Sequence, residues 1–185
     1  MTEEVKIYRQ GEKEPILSEG EKAAMEYRRQ LENGNLQRAH RLGEALCSLF
    51  LGMPVAGEFA AQQWVLLSFL AENELEHQVG NSIISQSAHS RFAELLEQQS
   101  PELARTVHDA RAFTLYTLNE TRRTPRSEGE IFARLCGCPE QEEVIELGER
   151  LSQDFTDRIT GLIAAAGFIT CLLYTSPSPR DAHES

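Results

Sequence analysis

Basic side chains are scarce in this chain of 185 residues. Eighteen lysines and arginines stand against 29 aspartates and glutamates, which gives a formal net charge of -11 at pH 7. Phosphate backbones and anionic lipid surfaces repel such an acidic protein. The composition therefore predicts that neither nucleic acid nor a membrane is the main partner, and it leaves a protein or peptide partner open.

Long hydrophobic runs and secretory features are also missing. The longest apolar stretch, Trp64 to Ala71, is far shorter than the roughly 20 residues that span a bilayer as a helix. The N-terminal segment MTEEVKIYRQGEKEP carries charges throughout and lacks the apolar centre of a signal peptide. These absences predict a cytoplasmic protein.

The common catalytic motifs do not occur. The chain contains no G-x-S-x-G, no P-loop, no G-x-G-x-x-G and no H-E-x-x-H. Any chemistry must therefore come from isolated pairs of side chains, and the sequence favours a non-enzymatic function.

The C-terminal residues differ from the rest of the chain. The string CLLYTSPSPRD, which begins at Cys171, resembles a translated sequencing adapter. This predicts that the native reading frame breaks off near Thr170 and that residues 171–185 form a non-native tail, which is excluded from fold reasoning. The cysteines that remain are an odd, sparse set, typical of reduced cytoplasmic thiols: Cys47, Cys136 and Cys138.

Helix start and stop signals predict a single all-α domain over residues 18–170, preceded by a flexible charged arm at 1–17. Ser18 with Glu21 forms a capping box for the first helix, and Asn33-Gly34 ends it. Six further helices are predicted: 35–51, 59–79, one after Asn81, one from Ser100 to Arg122-Arg123, one capped by Ser127 with Glu130 and ending at Gly137, and one from Pro139 to about Gly167.

Apolar periodicity supports these helices, and no period-two alternation is long enough for a sheet. The run from Trp64 to Ala71 is apolar on nearly every face and predicts the most buried helix, with a buried strand as the alternative that its helix-favouring flanks disfavour. The predicted architecture is about seven helices in antiparallel hairpins, as a bundle or a short solenoid-like stack. The fifth helix is expected to bury Leu103, Val107, Ala110, Thr114 and Leu118.

One hairpin resembles a known repeat. The segment YRRQLENGNLQRAHRLGEAL, within about 19–51, is similar to a tetratricopeptide repeat, with Gly34 at the turn and Ala39 at the close-packing position. The resemblance implies a groove for an extended peptide. Gly43 stands where that pattern has a large apolar residue, and no second copy follows.

The pair Cys136 and Cys138, separated by Gly137 and followed by Pro139, is the sharpest chemical candidate. Two thiols so close could chelate a soft metal or form a reducible disulfide. The alternative is structural: Cys136 packs in the core, Gly137 ends a helix, and Cys138 precedes the next one. A metal- or redox-active protein centred on this motif is the second functional hypothesis.

Two carboxylate patterns suggest a third hypothesis, a helical carboxylate metalloenzyme. Glu74 and His77 form an E-x-x-H pair like those of four-helix di-iron sites. Glu143 and Glu146 resemble the E-x-x-E pair of helical nucleotide pyrophosphohydrolases, whose second pair, E-x-x-D, is absent here. The alternative in both cases is a solvated helix end.

Three arginines cluster in the segment TRRTPRS: Arg122, Arg123 and Arg126. They are candidates for binding a phosphate group or an acidic motif of a partner, and the alternative is a helix end that complements its own dipole. The leading functional hypothesis is a cytoplasmic helical interaction or adaptor module with no cofactor, which predicts an exposed apolar groove along the first three helices.

Overall fold

The computed structural model describes residues 18–108, 110–119 and 123–169, and the predicted arm, Arg122 and the adapter-like tail lie outside these ranges. Within them the chain forms eight α-helices and no strand, which confirms the all-α prediction. The helices are α1 (Glu19–Glu32), α2 (Asn35–Leu51), α3 (Ala60–Val79), α4 (Ser82–Gln99), α5 (Pro101–Val107), α6 (Ala110–Leu118), α7 (Pro125–Leu135) and α8 (Glu142–Ala166).

The central element is α3, as its apolar run predicts. Leu66, Leu67, Leu70 and Ala71 are fully buried, and α3 packs against α4, α5, α6, α7 and α8. Because α8 also packs against α2, helices distant in sequence close around one core. The described helices therefore form a bundle and not a stack in which each repeat contacts only its neighbours.

Glycines allow two helix pairs to approach closely. At Gly43 in α2, a Cβ atom would stand 2.5 Å from the carbonyl oxygen of Ala88 in α4. At Gly148 in α8, it would stand 2.8 Å from Cβ of Phe132 and 2.9 Å from Cα of Gly129, both in α7. The small residue at position 43 is therefore explained by the packing of α4 against α2.

The predicted single helix from Ser100 to Arg123 is wrong. Val107 ends α5, and His108 has φ -82° and ψ 58°, outside the helical region. Thr114 and Leu118, which belong to the predicted stripe, are exposed. Both helices pack on α3, but α5 also packs on α4 and α6 on α7, so one straight stripe cannot serve both. The buried positions are Ala104, Val107, Ala112 and Tyr116.

The caps of the last two helices also differ from the prediction. Thr124, and not Ser127, is the N-cap of α7: its side chain accepts from the Ser127 backbone N–H, and the Ser127 hydroxyl accepts in return from the backbone N–H of Thr124. This box places Pro125 at the first helical position, where its missing N–H costs nothing. The final helix begins at Glu142 and not at Pro139.

Side-chain hydrogen bonds attach α1 to the bundle. Gln30 is the buried residue of α1, and its Oε1 accepts from Nδ2 of the fully buried Asn35 at 2.6 Å. Glu26 accepts from Nδ2 of Asn81 at 2.9 Å. Asn35 also bonds both backbone groups of Ile169, with Nδ2 donating to the carbonyl and Oδ1 accepting from the N–H, each at 2.9 Å. The polar face of α1 is thus turned inward.

None of the helices in the described ranges combines the length and the apolar character needed to cross a membrane.

The contact between α7 and α8 can be tested by Gly148→Ala. The added methyl group would overlap Phe132, so we expect the free energy of unfolding to fall by about 1–3 kcal/mol. Gly161→Ala, in the same helix with no atom within 4 Å of the new Cβ, should instead raise it by about 0.4–1 kcal/mol. Urea denaturation followed by circular dichroism measures both, and an equal effect of the two variants would contradict close packing at Gly148.

Candidate functional site

Three charged side chains meet where α3, α7 and α8 converge. Arg123, in the segment that enters α7, donates to Glu74 of α3 through Nη2 and to Glu128 of α7 through Nε. The other oxygens of the two carboxylates are also bonded, that of Glu74 by the Gln78 amide and that of Glu128 by the Ser152 hydroxyl of α8. Glu128 is only 2% exposed. We call Glu74, Arg123, Glu128 and Ser152 the buried ion cluster.

Burial governs the electrostatics of this cluster. It raises the pKa of Glu128, and the negative charge of Glu74 raises it further, while Arg123 opposes both effects. Burial alone would lower the pKa of Arg123, yet the two carboxylates raise it. Removing charged groups from water costs free energy. Glu74 and Glu128 can both lie in the interior because Arg123 supplies a cation close to each of them. The cluster is therefore a buried double ion pair in which one cation is shared by two carboxylates.

A surface pocket of about 350 Å³ opens onto the cluster, and Thr124 and Gln153 lie at its wall. The carboxylate oxygens inside it are held by Arg123, Gln78 and Ser152. A general base needs an oxygen that can reach a substrate proton. The geometry therefore supports a structural function of these two glutamates more strongly than a catalytic one.

The second described arginine of the predicted cluster is also engaged within the chain. Arg126 of α7 forms a two-pronged ion pair with Glu142 of α8 at 2.5 and 2.9 Å, and Glu130 and Glu149 lie within 3.6 and 3.7 Å. The hydrogen bonds and charge of Glu142 raise the pKa of Arg126. Both Arg123 and Arg126 thus tie α7 to its neighbours, which leaves their charges less available to a partner.

The two thiols lie at the turn after α7. Cys136 is the C-cap, Gly137 has φ 76°, and the Cys138 thiol lies 3.7 Å from the Cys136 carbonyl oxygen. Burial raises the pKa of Cys136 to about 12, and Cys138 and Glu58 add to the effect. Because the thiolate is the nucleophile and the metal ligand, this environment disfavours both uses. Within the described ranges, no three Cys, His, Asp or Glu side chains gather to hold a metal ion.

The structure gives the predicted carboxylate pairs separate partners. Glu74 is buried in the ion cluster, whereas Nδ1 of His77 lies 2.8 Å from the carbonyl oxygen of Asn73, within α3. Glu143 and Glu146 are exposed in the first turns of α8, and Glu146 lies 3.9 Å from Arg150. Sequence reasoning named Glu74 and Arg123 separately and missed both Glu128 and Ser152.

The most unusual surface lies on α1. Gly20, Ala24, Tyr27 and Leu31 follow one another at helical spacing on one face, which we call the α1 stripe. The two large members are exposed, Tyr27 by 53% and Leu31 by 57%. Tyr27 also borders a groove of about 400 Å³ whose other walls include His40 of α2 and Ile83 of α4. An amphipathic helix normally turns its apolar face inward, and α1 does the opposite.

The bridging function of Arg123 can be tested by Arg123→Ala. This variant leaves two buried carboxylates without their cation, so we expect the free energy of unfolding to fall by about 3–5 kcal/mol. Arg126→Ala, which removes exposed ion pairs, should cause a much smaller loss. Thermal and urea unfolding compare the two, and similar losses would mean that Arg123 is not the cation on which the interior depends.

The raised pKa of Glu128 predicts a specific pH dependence. The folded state holds this proton more tightly than the unfolded chain, so the contribution of Glu128 to stability is complete below its unfolded pKa and is lost as pH rises through its folded pKa. Lowering the pH from 7 to about 5 should therefore favour the wild type relative to Glu128→Gln. Glu142→Gln is the control, because Arg126 lowers the pKa of Glu142 and its titration falls below that range. Urea titrations across this range would contradict the assignment if the difference for Glu128→Gln stayed constant.

Comparison with known proteins assigns no relative. No family model matches the chain, and the searches of curated proteins and of solved structures likewise return no match. The functional argument therefore starts from the residues and surfaces described above.

Proposed function

We propose that this protein is a non-enzymatic, cytoplasmic helical interaction module that binds another protein chain through the α1 stripe. The observation that carries the proposal is the orientation of α1. Its polar side chains Glu26 and Gln30 face the bundle, and the apolar side chains Tyr27 and Leu31 face outward.

The exposed stripe is a source of binding free energy. Burying a fully exposed large apolar side chain contributes about 1.5–3 kcal/mol. Tyr27 and Leu31 are 53% and 57% exposed, so covering the rest of both can supply part of the free energy of a micromolar interaction. Packing within the chain leaves this exposed part of the two side chains uncovered, while the polar side chains Glu26 and Gln30 bond to Asn81 and Asn35. A partner that covers the stripe would recover this free energy.

The shape of the stripe favours a helix as the partner element. The stripe runs straight along α1, whose 14 residues are about 21 Å long. Tyr27 stands at the edge of the groove that Ile83 and His40 also line, so an amphipathic helix lying along α1 would contact more than one element. Binding of a helix through residues spaced by one turn is a common recognition mode.

The interior of the described bundle supports a non-enzymatic function. The buried carboxylates are occupied by Arg123, and burial keeps the Cys136 thiol protonated at neutral pH. The remaining carboxylates that the sequence singled out, Glu143 and Glu146, lie exposed on α8. The apolar stripe of α1 is a feature that packing among the described residues does not explain.

The proposal is tested with a photo-crosslinking residue placed at Leu31 in cells that express the protein, and at Met25 as the matched control. Met25 is equally exposed on α1 but lies on the other side of the helix. The protein that crosslinks at position 31 is then purified and titrated directly. We expect Leu31→Glu to weaken binding at least tenfold and Met25→Glu to leave it unchanged.

Two results would overturn the proposal. One is equal crosslinking at the two positions. The other is a purified partner that binds wild type and Leu31→Glu with the same affinity, because the interaction would then not use the stripe. Circular dichroism confirms that both variants fold, as expected for substitutions at exposed positions.

A further inference from the structure

We infer that the partner of the α1 stripe is a second copy of this chain, bound with the two α1 helices antiparallel around a two-fold axis. This inference rests on the proposed function, since it requires α1 to be a docking face, and it names the occupant of that face.

The order of side-chain sizes along the stripe is self-complementary. From one end to the other it reads small, small, large, large: Gly20, Ala24, Tyr27, Leu31. Two antiparallel copies place Ala24 opposite Tyr27 of the second copy, and Gly20 opposite Leu31 of the second copy. Each large side chain therefore meets a small residue, which allows the helices to approach and interdigitate.

The charges beside the stripe favour the same arrangement. Glu21 and Arg28 are exposed and lie on the same flank, the one that Ala24 borders. In an antiparallel pair, Arg28 comes within about one turn of Glu21 of the second copy, and symmetry repeats the contact. A parallel pair would instead place Arg28 and Glu21 of the two copies on opposite edges of the contact, where they cannot pair, and would set Leu31 against Leu31 and Gly20 against Gly20, so the match of large with small side chains would be lost.

The symmetry and size of the contact define the assembly. The same patch is used on both copies, so the interface is isologous and closes at a dimer. Two helices about 21 Å long bury less surface than the roughly 1,200–2,000 Å² of a standard stable interface. The expected state is a reversible dimer in the micromolar range.

Sedimentation equilibrium of the full chain, from about 1 to 300 µM, tests this directly, because the dimer fraction follows mass action. We expect a monomer–dimer equilibrium that Leu31→Glu weakens at least tenfold. Ala24→Trp should weaken it as well by filling the space that Tyr27 of the second copy needs. Met25→Glu, on the other side of α1, should leave it unchanged.

The orientation is tested with a spin label at Glu32, the exposed last residue of α1. Antiparallel helices separate the two labels by about 20 Å along the helix axis, because position 32 pairs with position 19, whereas parallel helices place the labels at the same height along the axis. Pulsed electron paramagnetic resonance distinguishes these distances. A short distance would overturn the antiparallel arrangement.

The outcomes separate this inference from the proposed function. A protein that stays monomeric at all concentrations overturns the dimer but leaves a different partner at position 31 to be found by crosslinking. A dimer that Leu31→Glu does not weaken uses another surface, and this also overturns the inference.

Discussion

Two carboxylates inside the bundle share one guanidinium group, and much of the described architecture follows from this arrangement. Arg123 can reach Glu74 and Glu128 together only if the first turn of α7 lies beside the C-terminal half of α3. The Thr124 cap fixes how the chain enters α7 directly after the arginine. A buried ion cluster of this kind contributes more to the choice of one arrangement than to net stability, because desolvation offsets most of its attraction.

The glycine contact and the ion cluster depend on each other. Gly148 lets α8 approach α7 closely, and Ser152, one turn later, then reaches Glu128. A wider separation would leave the second oxygen of Glu128 without its donor, at a position that water reaches poorly. Close packing therefore supplies a hydrogen bond that the charges need, and the polar interior sets the distance between the two helices.

Local signals in the sequence predict most of the fold. The Ser18 capping box, the Gly34 turn and the α3 apolar run all lie within a few residues of the element they specify, and the structure confirms each. The break near His108 was missed because the apolar periodicity of the sequence continues across it. Two helices are required only because α5 packs on α4 while α6 packs on α7.

The buried ion cluster was harder to predict, because its members come from distant parts of the sequence. Glu74 and Arg123 are 49 residues apart, and no local pattern indicates that they pair. A weak signal for Ser152 existed, since it is a polar residue on the apolar face of α8 next to Leu151 and Phe155. Likewise, the sequence shows that α1 is amphipathic, but the inward orientation of its polar face depends on Asn35, the first residue of α2, and on Asn81, the N-cap of α4.

The side-chain amide of Asn35 bonds Ile169, which lies 134 residues further along the chain, through the backbone groups of Ile169 alone. Because these bonds use only backbone groups of residue 169, the side chain at position 169 can change without loss of the bonds. The side chain at position 35 cannot, since it supplies both the donor and the acceptor. The same amide also bonds Gln30 of α1. One side chain therefore links α1 to the segment after α8, so a displacement of α1 that moves Asn35 would also strain its bonds to Ile169.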